Sequence, residues 1–270
     1  MPALFKSPLA TFGRFVPKDA GSRRIEHDVA YGPEARQRLS LFAPLRRDSD
    51  SLPLVMFFYG GSWRSGFREG YEFVGRALAA QGFLAAIADY RLAPEGRFPV
   101  FLEDCAAATQ WLLANGERHG GLAGSIRLIG HSAGAYNAAM LALDDRWLGP
   151  DHARVAAWVG IAGPYAFGAA SAVTKAAFGP RGPAQDAQPV SLAKAGSPPA
   201  LLLHGGRDTV VLPASSEELG RRLHKAGASA TVKIYPQLDH IATIGVFALP
   251  FRGRSSLFSD VVAFCKNHAE

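Results

Sequence analysis

The sequence predicts a doubly wound, mainly parallel α/β sheet of about eight strands. Three observations predict it. Strand-length apolar runs such as Leu54–Tyr59 and Phe83–Ala88 recur without alternation, the mark of strands covered on both faces. Segments with apolar residues at helical spacing lie between them. One run, Arg127-Leu128-Ile129, ends in Gly130-His131-Ser132-Ala133-Gly134 and passes at once into small, helix-favouring residues. Right-handed crossovers then put the loop after each strand on one edge of the sheet, where ligands bind.

Taken in order, residues 1–21 read as a mobile or loosely docked lead-in. Ile25–Ala30 and Gln37–Phe42 alternate like two short strands around a Gly32-Pro33 turn, and Arg46–Ser51 is polar and loop-like. After Leu54–Tyr59 comes Gly60-Gly61-Ser62-Trp63. A helix over Glu69–Gln81 follows, with Val74, Ala77 and Leu78 on one face. Phe83–Ala88 leads into Asp89-Tyr90-Arg91-Leu92-Ala93-Pro94-Glu95, then a helix over Phe101–Asn115. The Gly-x-Ser-x-Gly strand and helix are next, then a strand at Val155–Ile161. Residues 163–199 are rich in Gly, Pro, Ala and Ser and too long for a simple connection, so they read as a cap or lid with a short helix at Ala170–Phe178. Pro199–His204 resumes the strand pattern, Ala214–Ala226 reads as a helix, Thr231–Tyr235 as the last strand and Ser255–Asn267 as the closing helix. With no internal repeat or linker, residues 1–270 are expected to form a single domain.

Composition narrows the function classes. Lys and Arg number 29 against 23 Asp and Glu, and the net charge of +6 is spread along the chain. Without a basic stripe or a binding motif, no nucleic-acid partner is expected. No apolar run is long enough to span a bilayer, and residues 1–17 lack the continuous apolar core of a signal peptide, so a cytoplasmic protein is expected. The two cysteines, Cys105 and Cys265, sit among apolar neighbours and read as buried thiols, with no metal site implied. The oligomeric state is open, a homodimer included.

The chemistry centres on Ser132. A serine on a tight strand-to-helix turn holds its hydroxyl clear of the backbone, and the helix behind it aims N–H groups at an oxygen that becomes negative during acyl transfer. A serine hydroxyl is a poor nucleophile until a base takes its proton and an acid holds that base in the right tautomer. Among the histidines downstream, His240 alone falls in a loop after the last strand; His204 falls inside a strand, His224 on a helix and His268 at the end. His240 is the expected base. Asp208, directly after the preceding strand, is the expected acid, with Asp239 as competitor and Asp186 in the cap segment a distant third. Oxyanion donors are expected from the backbone of Ala133 and from the Gly60, Gly61 and Ser62 loop, with Gly61 and Ser62 favoured. Asp89 and Arg91 are expected to shape that loop by bonding backbone groups. Trp63, Phe67, Tyr136, Tyr165 and Phe167 are candidates to line a pocket.

Gly-His-Ser-Ala-Gly, the Asp89–Glu95 stretch with Phe98-Pro99 and Glu103-Asp104 behind it, and His204-Gly205-x-x-Asp208 together resemble the esterase branch of the α/β-hydrolase superfamily. That branch includes hormone-sensitive-lipase-like carboxylesterases and kynurenine formamidase-like enzymes. The resemblance spans about Val55 to Cys265 and implies serine hydrolysis of a small-molecule ester or amide with no cofactor and no metal. The chain departs from the pattern at Tyr59, where the family usually has His before the glycines, and at Ser62, which replaces a third glycine. The Gly60-Gly61-x-Trp63 form and the Gly-His-Ser-Ala-Gly elbow lean toward the formamidase-like side. A carboxylesterase is the leading expectation, an arylformamidase the alternative, and a catalytically silent binding protein on the same fold the reading from another class.

Overall fold

The computed structural model describes residues 8–46, 51–168 and 170–268. Its centre is an eight-stranded sheet in the order β1-β2-β4-β3-β5-β6-β7-β8. The strands are β1 (Ser22–Ala30), β2 (Arg38–Pro44), β3 (Leu52–Phe58), β4 (Leu84–Ala88), β5 (Gly121–His131), β6 (Val155–Ile161), β7 (Ala200–Gly205) and β8 (Ala230–Tyr235). From β4 to β8 every neighbouring pair is parallel; β1 and β2 close one side antiparallel. All the strands predicted from sequence are present. The elbow strand is longer than its apolar run suggests, because Gly121 to Ser125 extend it beyond the buried part.

The helices are α1 (Pro8–Phe15), α2 (Glu72–Ala79), α3 (Val100–Asn115), α4 (Ala133–Leu143), α5 (Ala172–Phe178), α6 (Ala214–Lys225), α7 (Ala242–Gly245) and α8 (Leu257–Asn267). Right-handed crossovers place α3, α4 and α6 on one face of the sheet and α2 and α8 on the other. The packing agrees: α3 and α4 lie together on β3 and β5, α2 on β1, β2 and β4, and α8 on β6 and β7. Covered on both faces, β3, β4 and β7 are buried almost throughout. The edges are treated differently. β1 carries Arg23, Arg24, Glu26, His27 and Asp28 and has two register irregularities, features that discourage pairing with another chain.

Two segments differ from the sequence reading. Within the lead-in, residues 8–15 form α1, whose Phe12 packs edge-on against Phe73 and tilted against Phe251 (ring centroids 5.6 Å in each case). Residues 1–7 lie outside the described part, as do 47–50 of the polar loop. The helix expected over 69–81 begins as a 3₁₀ turn at Arg68–Tyr71 before α2 starts at Glu72.

Asp104, on α3 and fully buried, ties the Asp89–Pro99 connection to the sheet. It accepts the Arg91 backbone N–H (2.8 Å), the Arg91 guanidinium (Nη2 2.7 Å, Nε 2.9 Å) and the Gln37 amide (2.7 Å). Removing one member of a buried charged set strands the rest. Asp104→Ala is therefore expected to cost about 3 kcal/mol in urea unfolding; a loss under about 0.5 kcal/mol, the scale of an ordinary surface change, would contradict that role.

Candidate active site

Strand order reverses between β3 and β5, and a crevice opens there at the carboxyl ends of the strands. The loops after β3, β5, β7 and β8 carry Gly60–Ser62, Ser132, Asp208 and His240, so one edge of the sheet receives every predicted site residue.

Ser132 is the single residue between β5 and α4. Its φ of 55° and ψ of −122° lie where L residues rarely go. The turn is this tight because α4 sits hard against the sheet. A Cβ on Gly130 would lie 2.0 Å from the Gly134 carbonyl oxygen, and one on Gly134 would lie 2.0 Å from that of Phe58. Only glycine fits either place.

His240 meets Ser132 and Asp208 at once. Its Nε2 is 2.9 Å from Ser132 Oγ and its Nδ1 is 2.7 Å from Asp208 Oδ2. A carboxylate only accepts, so the ring proton resides on Nδ1 and Nε2 is left to accept from the serine hydroxyl. The other carboxylate oxygen of Asp208 accepts the backbone N–H groups of Val210 and Val211, each at 2.9 Å, which fixes the acid. Asp239 turns away and accepts the N–H groups of Ile241 (3.0 Å) and Ala242 (2.8 Å) at the start of α7, a turn role. Asp186 lies in a 3₁₀ turn at Gln185–Ala187 and has no bond to His240.

Two further histidines pack beside this chain: His204, which the sequence sets inside a strand, and His131 of the elbow motif. His204, wholly buried, donates from Nε2 to the Val211 carbonyl (2.8 Å) and accepts the Ser216 hydroxyl at Nδ1 (2.7 Å); its Nε2 also lies 3.3 Å from Asp208 Oδ2. Burial holds it below the ordinary histidine pKa, so it stays neutral beside the acid. His131, under Ser132, donates from Nε2 to the His240 carbonyl (3.1 Å). Burial, with His240 nearby, lowers its pKa to about 3. Their only sequence signal was adjacency to Ser132 and Asp208 motifs.

The loop after β3 is braced through its side chains and carbonyls. Tyr59 stacks on Tyr90 (4.9 Å) and Tyr71 (5.4 Å), donates its hydroxyl to Asp89 (2.7 Å) and accepts from Arg36 (2.8 Å). Asp89 also accepts the Arg68 backbone N–H (2.8 Å), as expected of a loop-shaping carboxylate. Arg91 departs from its expected role, because its guanidinium is taken by Asp104. Trp63 Nε1 donates to Asn137 on α4 (2.9 Å), and its carbonyl accepts the Ala93 N–H (2.8 Å). Gly61, Ser62 and Trp63 all have positive φ. Among the described residues, no protein acceptor takes the N–H of Gly61, Ser62 or Ala133. Asn137 is the one polar residue of the otherwise apolar α4 after the elbow glycine and Tyr136, a signal the sequence did carry.

Ser132, Ala133 and Ser62 open onto a cleft of about 520 Å³, with Trp63 and Phe167 on its walls. Tyr136 stands behind them, its hydroxyl on the Ala187 carbonyl (2.7 Å), and Tyr165 is core beside Trp158. Phe67 does not line the cleft. Among the described residues no group of three or more His, Cys, Asp or Glu is placed to hold a metal ion, and Cys105 and Cys265 are buried and unpaired. No helix of the described residues is long and apolar enough to cross a membrane.

The family model BD-FAE matches residues 39–223, which includes Ser132 and Asp208 and stops short of His240. Esterase LipC of Mycobacterium tuberculosis is 31% identical over 233 residues, covering 77% of this chain and 57% of LipC. The isoprenylcysteine alpha-carbonyl methylesterase ICME of Arabidopsis thaliana is 26% identical over 275 residues, covering 92% of this chain and 63% of that protein. The chain thus spans between about half and two thirds of the length of these curated relatives. A truncated carbohydrate esterase from gut microbiota superposes with a TM-score of 0.82 at 20% identity, covering 94% of this chain and 99% of that one, a likeness of fold.

The buried His131 predicts an acid-sensitive step. Folded, it binds its proton only near pH 3; unfolded, it does so near 6.5. Between those values the unfolded state holds the extra proton, so stability falls as pH drops, by up to about 1.4 kcal/mol per unit. From pH 7 to pH 5, His131→Asn is expected to lose about 2 kcal/mol less than the unaltered protein in urea melts. Parallel losses in the two proteins would remove His131 as the source.

Proposed function

The chain belongs to the BD-FAE family of α/β-hydrolase esterases, and on that premise we propose that it is a cofactor-independent serine carboxylesterase acting on small-molecule esters. The observation that carries this is the unbroken hydrogen-bond chain from Ser132 Oγ through His240 to Asp208.

In this reading Ser132 Oγ attacks the ester carbonyl carbon as its proton passes to His240 Nε2. Asp208, held by two N–H groups, orients the ring and stabilises the imidazolium. The carbonyl oxygen becomes negative against the N–H groups of Ala133, Ser62 and Gly61. The tetrahedral species collapses, the C–O bond to the leaving group breaks, and the departing alcohol takes the proton from Nε2. Water then gives a proton to His240 and attacks the acyl-Ser132, releasing the acid and restoring the hydroxyl. Residues 163–199 serve as a cap on a single catalytic domain. This is supported by α5, whose Ala177 carbonyl accepts the Phe98 N–H (2.8 Å) and whose Val173 lines the cleft.

The decisive experiment is pre-steady-state release of p-nitrophenol from p-nitrophenyl acetate. The protein is expected to give a burst of one equivalent per active chain, and Ser132→Ala none. Ser132→Ala and His240→Ala are expected to lower kcat by about a million-fold, Asp208→Asn by about ten-thousand-fold. Asp239→Asn is expected to change kcat less than about threefold. A larger loss in Asp239→Asn than in Asp208→Asn would reassign the acid. Turnover of N-formylkynurenine well above that of any ester would reassign the leaving group.

A further inference from the structure

We infer that Val173, Val210 and Leu212 form an apolar lip that makes this site selective for esters with an uncharged, apolar acyl or alcohol arm. The inference rests on the serine-esterase reading and adds the substrate class.

The cleft that holds Ser132 and Ala133 is lined by no charged residue. Its other hydroxyls are mostly spoken for. Ser171 and Thr174 cap α5 reciprocally, and Ser215 accepts the Tyr165 N–H (2.7 Å). Among the described residues, the Ser62 hydroxyl beside the oxyanion loop and the O–H of Ser215 are what is left to greet a polar substituent. Sugar hydroxyls or a carboxylate entering here would give up water for almost nothing, and unmatched polar groups are costly to desolvate.

The rim adds an attraction. Val210 is 71% exposed, Leu212 64% and Val173 37%, and all line the same cleft as Ser132. Isolated exposed aliphatics need no explanation, but three converging on the mouth of a catalytic cleft do. They come from two separate parts of the chain, the turn after Asp208 and the helix α5 of the 163–199 segment. Trp63 and Phe167 continue the same apolar surface inward. An alkyl or aryl arm of the bound ester would therefore run from Ser132 past these two rings to the lip. Each methylene buried on the way is worth roughly threefold to fourfold in kcat/KM.

The test uses two ester series at fixed ionic strength: p-nitrophenyl acetate, butyrate and hexanoate for the acyl arm, and methyl, butyl and hexyl acetate for the alcohol arm. In at least one series kcat/KM is expected to rise about tenfold for every two methylenes until the arm clears the lip. The monoester p-nitrophenyl succinate, similar in length but carrying a carboxylate, is expected to fall at least tenfold below the butyrate. In the doubly altered Val173→Ser, Leu212→Ser protein the hexanoate-to-acetate or hexyl-to-methyl ratio is expected to shrink to near threefold. Both positions are open to solvent, and the burst amplitude counts intact sites if folding suffers. A burst on acetate with both series flat, with succinate equal to butyrate, or with the ratio unmoved by the double change overturns the lip while leaving the esterase reading intact. No burst on any ester, with all chains folded, overturns the esterase reading itself.

Discussion

The site depends on how closely α4 approaches the sheet. With no side chain at Gly130 or Gly134, the helix backbone comes against the carbonyl of Phe58 on β3 and against its own strand. That contact leaves one residue to turn the chain, and Ser132 takes a positive φ to do it. Such strain costs on the order of 1–3 kcal/mol and persists because packing on all sides over-determines it. Around it, α4 is buried along its whole length, so the turn cannot relax without unseating the core.

The same helix governs the second loop. Asn137, just over one turn beyond Ser132, holds the Trp63 indole, and Trp63 in turn packs against Phe101, Tyr136 and Phe178. Behind the loop, Tyr59 replaces the histidine usual in the resembling esterases and hydrogen-bonds into a set of charged groups, with Asp89 between Arg36 and Arg68. Burial and the neighbouring carboxylate push the Tyr59 phenol up, so it stays a neutral donor. Ser132 and the Gly60–Trp63 loop are thus anchored to one element, α4.

Much of this was legible in the sequence because it is local. Uninterrupted apolar runs announced the buried strands, and Gly-His-Ser-Ala-Gly announced the turn. The chain order of serine, acid and histidine, with the loops after parallel strands on one edge, selected Asp208 and His240. What escaped was tertiary. Phe12 is an ordinary aromatic in a Pro-rich segment until Phe73 and Phe251 are seen around it, so α1 read as a loose lead-in. Arg91 was expected at the oxyanion loop, but Asp104, thirteen residues on, claims it across the start of α3. His204 reads from sequence as a strand residue and His131 as part of the elbow motif, because their partners, Ser216 and the His240 carbonyl, lie on other elements.

Floor and rim of the cleft are made of different material. Below, Ser132, Ala133 and Asp208 are fixed by main-chain geometry: a strained turn, the start of a helix, a carboxylate gripped by two peptide nitrogens. Above, the boundary is a fringe of exposed aliphatic side chains, Val173, Val210 and Leu212. Drift in such a fringe can reshape the mouth of the cleft while its floor is inherited untouched.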